Sequence, residues 1–573
     1  MPRVEAHDGS TGDSCIHLRF GPNVEPMSAW TRWLVGATSA VFVSGLVVAL
    51  APPGPLLTID DIAYLAMGRT IAGEGGAPMP AQSPYGPLYP LLLAPGWLLG
   101  LEGDGMIAFA RLVNALAGAA TVPALASFLR RLFPEIDPRR VLVAALVGAL
   151  LPAALLTASI VWTERLLSLL IVLVMVALFD ALEAPSGRSA LAATAAAVLL
   201  FAAHPRLGVS AVVVIAVSGW AVRGRGTAVM SAVVASGAVG LGCVEWFRRL
   251  LATATFDHPG IYGPLDLASR RGLGEGVQML QLGLGALTYV VLAGTGLALW
   301  GIVVLARSRP KGWSVLAVGL GALVVAAWFL TGVPRADKWL HGRYVEVMAP
   351  MFVAVGVAQL HRLSRRGAAL LLVGVPSLAG IVAAWNGPGD TWASARSPVM
   401  MLGVEVGGAP YGSDIFEPGA AASVAIAVGL AAWALCRWRI EAAGLLLVGA
   451  SLWGVHSGLE TLRQLHEFTV SGEVDERLDP STDISELFVD VGGVSASLTN
   501  ALVWEVGFDR SVTEQTPRTT HVLLAPDATP PLGATLVIEF RQGMLWELNR
   551  TVSGRRRPGS GEIPRSRLRH RHR

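Results

Sequence analysis

This chain has little charge: Asp, Glu, Lys and Arg make up only 15% of its 573 residues, against 53% hydrophobic ones. With a mean hydropathy of +0.55, it carries more apolar surface than a soluble domain of this length can bury. A water-soluble globule is therefore excluded, and a polytopic membrane protein is expected. Cysteine is nearly absent: Cys15, Cys243 and Cys436 stand far apart without metal-ligand spacing, so neither a disulfide framework nor a zinc site is expected. The chain also lacks a phosphate-cradling glycine loop, a nucleotide motif, an HExxH pair or a Ser/His/Asp elbow in context, and shows no internal repeat. The formal net charge is only +3, and no nucleic-acid partner is expected.

What is present is a succession of apolar segments. The first, 33–50, follows a mixed N-terminal stretch and has no small-residue cleavage site, so it reads as a retained span and not a signal peptide. Residues 1–29 form a cytoplasmic arm. Further spans are expected at 105–129, 141–158, 164–182, 190–203, 207–222, 227–244, 280–305, 313–331, 345–360, 368–384, 420–435 and 442–457, about thirteen in all within a membrane domain of 30–458. Arginines then test the layout. Arg130, Arg131, Arg139 and Arg140; Arg188; Arg223 and Arg225; Arg307, Arg309 and Lys311; Arg362, Arg365 and Arg366; and Arg437 and Arg439 fall in alternate loops. All of these lie on one side, assigned as cytoplasmic. The opposite side receives the first outer loop, 51–104, the long loop 245–279, the loop 385–419 and the C-terminal region. Residues 459–553 hold strand-like pieces such as His521-Val-Leu-Leu524 and Thr535-Leu-Val-Ile-Glu-Phe540, predicting a small extracytoplasmic α/β or β domain. Residues 554–573 are an arginine-rich, disordered tail.

The residues able to carry chemistry lie in the outer loops. Thr58-Ile-Asp-Asp-Ile-Ala-Tyr-Leu-Ala-Met-Gly-Arg69 comes just after the first span. Adjacent side chains diverge by roughly 100° on a helix or 180° on a strand, so Asp60 and Asp61 cannot form one bidentate clamp. One is expected to face the cavity while the other caps or orients; a pair that merely caps, with Thr58 or Asp60 as N-cap, is the plain alternative. Ile62, Leu65, Ala66 and Arg69 predict a helix whose apolar stripe lies along the interface. Glu164 sits in a short turn, Ser159-Ile-Val-Trp-Thr-Glu164, and reads equally as a second acid or as an interfacial residue. Arg206, His341 and Arg343 bring cations to the same side, where a guanidinium offers planar donors to a phosphate. Snorkelling at headgroup level is the alternative for the arginines. Loop 245–279, with Arg248, Arg249, His258, Tyr262, Arg270 and Arg271, is long enough to act as a lid. Trp97, Trp162, Trp246 and Trp339 fit an aromatic belt.

Asp60-Asp61 followed by Tyr64, the run Gly86-Pro-Leu-Tyr-Pro-Leu-Leu-Leu-Ala-Pro95, the Glu164 turn and His341-Gly-Arg-Tyr344 together resemble the GT-C superfamily. These are membrane glycosyltransferases that use polyprenyl-phosphate sugars; the resemblance is to the protein-O-mannosyltransferase and aminoarabinose-transferase-like branch, over roughly residues 30–385. It implies an all-α, GT-C-like membrane domain that moves a sugar from a lipid-phosphate donor to the hydroxyl of a glycan, glycolipid or protein acceptor, with inversion. In that reading Asp60 is the general base, although Asp61 could be, because many relatives have Asp-Glu here. Glu164 orients the acceptor or helps hold a divalent ion (Mg or Mn). Arg206, His341 and Arg343 neutralise the leaving phosphate, and Tyr64, Arg69, Tyr85 and Tyr89 line the cavity among membrane lipids. Two carboxylates are too few to demand an ion. The competing classes are a multispan lipid or glycan transporter, whose ionisable residues belong nearer the midplane, and an inactive relative that binds glycan through its outer domain.

Overall fold

The computed structural model describes residues 28–52, 59–81, 85–259, 273–331, 342–386 and 418–468, with short pieces and strands between 484 and 548. Cys15, the N-terminal arm before residue 28, Thr58, Tyr262, Arg270, Arg271, Trp339, His341 and the basic tail lie outside the described residues, as does most of loop 385–419.

The membrane part is a succession of helices, each bounded by local chemistry. Helix α1 (Ala29–Leu50) starts where the Ser28 hydroxyl accepts the Thr31 N–H at 3.2 Å, a standard N-cap. The outer segment that follows holds α2 (Ile59–Ala72), β1 (Ala77–Ala81) and α3 (Leu88–Leu98). Helix α4 (Gly103–Leu132) is 30 residues long, about 45 Å at 1.5 Å per residue, and ends on Arg130 and Arg131, whose charge suits a helix C-terminus. Helix α5 (Pro138–Ala149) is capped by Asp137, whose carboxylate accepts the Arg139 N–H at 2.9 Å. It breaks before Pro152, and α6 (Pro152–Leu156) continues it at a bend of 59°, because proline has no N–H for the helix ladder.

Then come α7 (Glu164–Glu183), α8 (Gly187–Ala203) behind a Ser186/Ser189 capping box, α9 (Gly208–Ala221), α10 (Thr227–Thr255) and β2 (Phe256–Pro259). The second half holds α11 (Leu273–Ala293), α12 (Leu297–Arg307), α13 (Lys311–Leu330), α14 (Arg343–Glu346) and α15 (Ala349–Ala358). Helix α16 runs from Arg365 to Asn386 through a π-helical turn at Ala369–Gly374, and is followed by α17 (Pro418–Cys436) and α18 (Ile440–Phe468).

This is a multi-pass membrane protein. Nine described helices are long and apolar enough to cross a bilayer, ten with the bent pair counted as one span. That is fewer than the thirteen expected. The expected spans at 190–203, 207–222 and 345–360 are apolar helices of at most 17 residues, and the expected span 280–305 is two helices broken at Gly294-Thr295-Gly296. There Thr295 and Gly296 take positive φ values of 50° and 74°, which no continuous right-handed helix accommodates. Large apolar side chains left exposed, among them Leu280, Trp385 and Leu445, face where lipid would lie. Inside, Phe128 of α4 stacks on Phe179 of α7 with centroids 5.4 Å apart.

The basic loops meet one another. Arg131 pairs with Asp180 at 2.7 Å, Lys311 with Glu183, and Arg362 with Glu135 at 3.7 Å; Arg437 donates to the Leu363 carbonyl at 3.2 Å. These contacts put the loops after α4, α7, α12, α15 and α17 on one face, as the arginine pattern requires.

Two expectations for the outer side are corrected. The start of loop 245–279 is not loop: α10 continues to Thr255, stabilised where Glu245 accepts from Arg248 and Arg249 at 2.7 Å, i,i+3 and i,i+4, and β2 then pairs parallel with β1. Helix α2 does not lie along an interface either; residues 61–69 are buried on every side. Near the C-terminus, a five-stranded mixed sheet is ordered β4-β3-β5-β7-β6, from strands Leu487–Val489 (β3), Ser511–Val512 (β4), His521–Leu524 (β5), Ala534–Phe540 (β6) and Gly543–Leu548 (β7).

Candidate active site

Five segments far apart in sequence converge at one end of the bundle: the first turn of α2, Tyr85 before α3, the first residue of α7, the turn at Arg206 just before α9, and the start of α14. The centre is Arg343. Its Nε donates to Glu164 Oε1 at 2.7 Å, and its Nη1 pairs with Asp60 Oδ2. The guanidinium lies over the Trp162 ring, 3.6 Å from the centroid, a cation–π contact in a buried setting. Burial works against that cation, but the carboxylates of Asp60 and Glu164 outweigh it and push its pKa well above the ordinary value. Arg206 Nη2 donates to the same Glu164 oxygen at 3.1 Å, while its own ring partner is Tyr344 at 4.9 Å. Glu164 Oε2 and the Nε and Nη1 of Arg206 are buried without a hydrogen-bond partner among the described residues.

Asp60 and Asp61 separate as adjacent helical residues must. The Asp61 carboxylate is 2% exposed and accepts the backbone N–H of Val161 at 2.7 Å. It therefore ties α2 to the segment that delivers Trp162 and Glu164. Asp60 keeps an 18% exposed side chain and accepts from Tyr85 Oη and Arg343. Burial and the Asp60 charge beside it raise the pKa of the Tyr85 phenol, so it remains a donor. Tyr64, raised likewise by burial, with Glu164 and Asp60 adding to it, lies 3.2 Å from Thr163 Oγ1.

Tyr89, Tyr64 and Tyr85 form a row with centroids 5.2 and 4.7 Å apart, and His204 continues it at 6.1 Å. His204 is half-buried. Its Nδ1 accepts the Arg206 backbone N–H at 3.2 Å, which leaves Nε2 as the protonated nitrogen of the neutral ring. Burial first, and then the charges of Arg206, Arg343 and Arg248, hold its pKa well below the usual histidine range. Two glycines permit the approach. A Cβ at Gly86 would run into the Ala202 and Ala203 carbonyls, and one at Gly342 into the Tyr289 ring.

Of the predicted site residues, Asp60, Glu164, Arg206, Arg343 and Tyr85 are brought together. Tyr64 and Tyr89 stand behind them, fully buried. Arg69 is not in the cluster: at the far end of α2 it contacts the Gly76 carbonyl at 3.4 Å and Glu74 at 3.6 Å. Asp61 anchors a loop and does not face the opening. Of the aromatic belt, Trp97 and Trp162 are buried while Trp246 is 67% exposed. Sequence reasoning missed the ring of His204 and two helpers on α4. Arg111 Nε donates to the Ser159 carbonyl at 3.0 Å and Asn114 Nδ2 to the Ile160 carbonyl at 2.8 Å. The available signal was an arginine and an asparagine one turn apart inside an apolar span.

The arrangement of helices around this cluster is a fold shared with solved membrane proteins of low sequence identity. The solved structure of ArnT from Cupriavidus metallidurans in the apo state matches 92% of this chain with 100% of its own, at 15% identity and a TM-score of 0.55. The same protein bound to undecaprenyl phosphate matches over the same shares at 14% identity and a TM-score of 0.51. No protein-family model and no curated protein sequence matches the chain.

Proposed function

We propose that this protein is an integral-membrane glycosyltransferase that moves a sugar from a polyprenyl-phosphate donor to an acceptor hydroxyl on the extracytoplasmic face, by inverting single displacement. The observation that carries the reading is the pairing, in one cluster, of a partly exposed carboxylate, Asp60, with a buried arginine, Arg206, that has two unpaired N–H donors. Asp60 is the base. Each of its oxygens holds one donor, from Tyr85 or Arg343, and keeps lone pairs for the acceptor O–H. A carboxylate is a weak base for an alcohol, so it takes the proton late, as the acceptor oxygen bonds the anomeric carbon and the bond from that carbon to the phosphate oxygen breaks. The electron pair of that bond leaves with the polyprenyl phosphate, whose added negative charge meets the unpaired Nε and Nη1 donors of Arg206 and the Nε2–H of His204. Glu164 holds both arginines in place from the N-terminus of α7, where negative charge is favoured. Binding of undecaprenyl phosphate by ArnT, a protein of like fold, supports a lipid-phosphate donor.

The residues present do not fit a divalent cation between the carboxylates. Arg343 already bridges Asp60 and Glu164, and Arg206 adds a second fixed cation beside them; an ion placed there would meet two guanidiniums. We read Arg343 as supplying that positive charge.

The test is sugar release or transfer by the purified full chain from a panel of polyprenyl-monophosphate sugars, comparing wild type with Asp60→Asn and Asp61→Asn. Turnover of one donor that is lost in Asp60→Asn, with the fold intact, is the expected result. Binding of no donor at all would overturn the reading in favour of a transporter or an inactive relative.

A further inference from the structure

The helices that present the cluster carry a second concavity at their other ends. Helix α7 begins at Glu164 and ends at Glu183, and α9 begins just after Arg206 and ends at Ala221. Their far ends, with the turn Arg223–Arg225 and Pro310, enclose a cleft of about 550 Å³ whose lining includes Leu182, Pro185, Trp220, Arg223, Arg225 and Pro310.

Three observations define what fits it. The first is uncompensated charge. The carboxylates at the end of α7 are already engaged, Asp180 by Arg131 at 2.7 Å and Glu183 by Lys311. Among the described residues no ion pair neutralises Arg223 or Arg225. Arg309 flanks the cleft beside Pro310 and rests on the Trp313 ring at 4.7 Å. The second is preorganisation. The Arg223 guanidinium lies over the Trp220 ring, 3.8 Å from its centroid, and Nη1 donates to the Trp220 carbonyl at 3.0 Å. These two contacts order part of a long cationic side chain before any ligand arrives. The third is a lipid track. Val209, Val212, Ala216 and Trp220 are all exposed, and their spacing of three, four and four residues puts them on one face of α9, an apolar stripe that leads along the membrane into the cleft.

A cationic mouth, apolar walls and an apolar stripe describe an amphiphile with an anionic head. We propose that this cleft binds the headgroup of an anionic phospholipid, with its phosphate at Arg225 and Arg223 and its acyl chains along the exposed face of α9. An aromatic ring and arginines at the end of an apolar helix are where headgroups lie. The proposal does not depend on the reaction at the other end of the bundle, and its test needs no turnover.

The full chain, purified in a mild detergent, is titrated with phosphatidylglycerol or phosphatidylcholine, and bound lipid is counted by native mass spectrometry. Phosphatidylglycerol is expected to bind in preference. The double change Arg223→Gln/Arg225→Gln is expected to weaken that binding roughly thirty-fold, the effect of two cations at an anionic headgroup. A control pair on another basic loop of the same face, Arg437→Gln/Arg439→Gln, is expected to leave it unchanged. Equal losses in the two doubles, or equal binding of both lipids by the wild type, would overturn the proposal in favour of diffuse surface charge. Displacement of phosphatidylglycerol by glycerol phosphate alone would reassign the cleft to a soluble phosphate and overturn the lipid reading. If the double variant does not fold, Arg225→Gln, a change at an exposed side chain, gives the same comparison with a smaller loss.

Discussion

The two ends of this bundle both hold arginine–carboxylate pairs, and the pairs are of different kinds. At the candidate-site end, Arg343, Arg206 and Glu164 have side chains only 3–7% exposed, and Asp60, 18% exposed, is the more open member. At the other end, Arg131–Asp180, Lys311–Glu183 and Arg362–Glu135 are 20–56% exposed. Exposed pairs are screened by water and contribute typically 0–1 kcal/mol. Buried ones carry a large desolvation cost, so removing one partner leaves an uncompensated charge. Three charged side chains buried together, in a chain poor in charge, therefore contrast with the exposed pairs at the other end.

The sharpest way to break that contrast is Arg343→Gln. It leaves Glu164 with Arg206 as its remaining guanidinium and frees Asp60, and is expected to destabilise the fold by about 3–5 kcal/mol and to abolish turnover, read by thermal melting and donor assays. Asp60→Asn is expected to lower turnover by about 10²–10⁴-fold while moving the melting temperature little, since Asp60 is the exposed member of the cluster. An equal fall in melting temperature would make Asp60 a structural residue like Asp61. Arg206→Gln is expected to weaken donor binding by roughly ten- to a hundred-fold, the scale of losing charge-assisted hydrogen bonds to a phosphate, with a smaller change in kcat.

His204 sharpens the contrast through pH. Its folded pKa is held below the unfolded value near 6.5, so below that pH the unfolded chain binds a proton that the folded chain refuses. Stability is expected to fall with decreasing pH by at most about 1.4 kcal/mol per unit until the folded pKa is reached. His204→Gln should remove that slope; a slope that persists would place the titrating group elsewhere. The smallest effect is at the other end, where Lys311→Gln should shift stability by no more than about 1 kcal/mol, seen as a slight change in melting temperature.

How far the sequence reached can be judged residue by residue. The arginine loops were legible because insertion depends on local charge beside an apolar run, and the contacts among Arg131, Asp180, Lys311 and Glu183 bear the grouping out. Asp60, Glu164, Arg206 and Arg343 were legible as polar residues at the water-facing ends of spans. Span count was less so. Leu297–Arg307 and Ala349–Ala358 are 11 and 10 residues long, and an apolar run does not reveal that a Gly-Thr-Gly segment with positive φ will interrupt it. The start of loop 245–279 is not legible as helix from hydropathy, because the Glu245, Arg248 and Arg249 pairs sustain a helix after its apolar residues end.

By itself, the sequence determined that this chain lives in a bilayer, which loops share a face, and that acids and cations gather on the other face. Those are consequences of composition and local order, since hydropathy and charge act segment by segment. Only the tertiary structure gave Asp60 and Asp61 different surroundings. Their neighbours, Tyr85 and Arg343 on one side and the Val161 N–H on the other, come from segments up to 283 residues away, and no local pattern encodes which face of α2 each will meet. The same holds for Arg69, left outside the cluster by the length of its own helix, and for His204, drawn in because Gly86 lets the chain before α3 rest on the carbonyls that end α8.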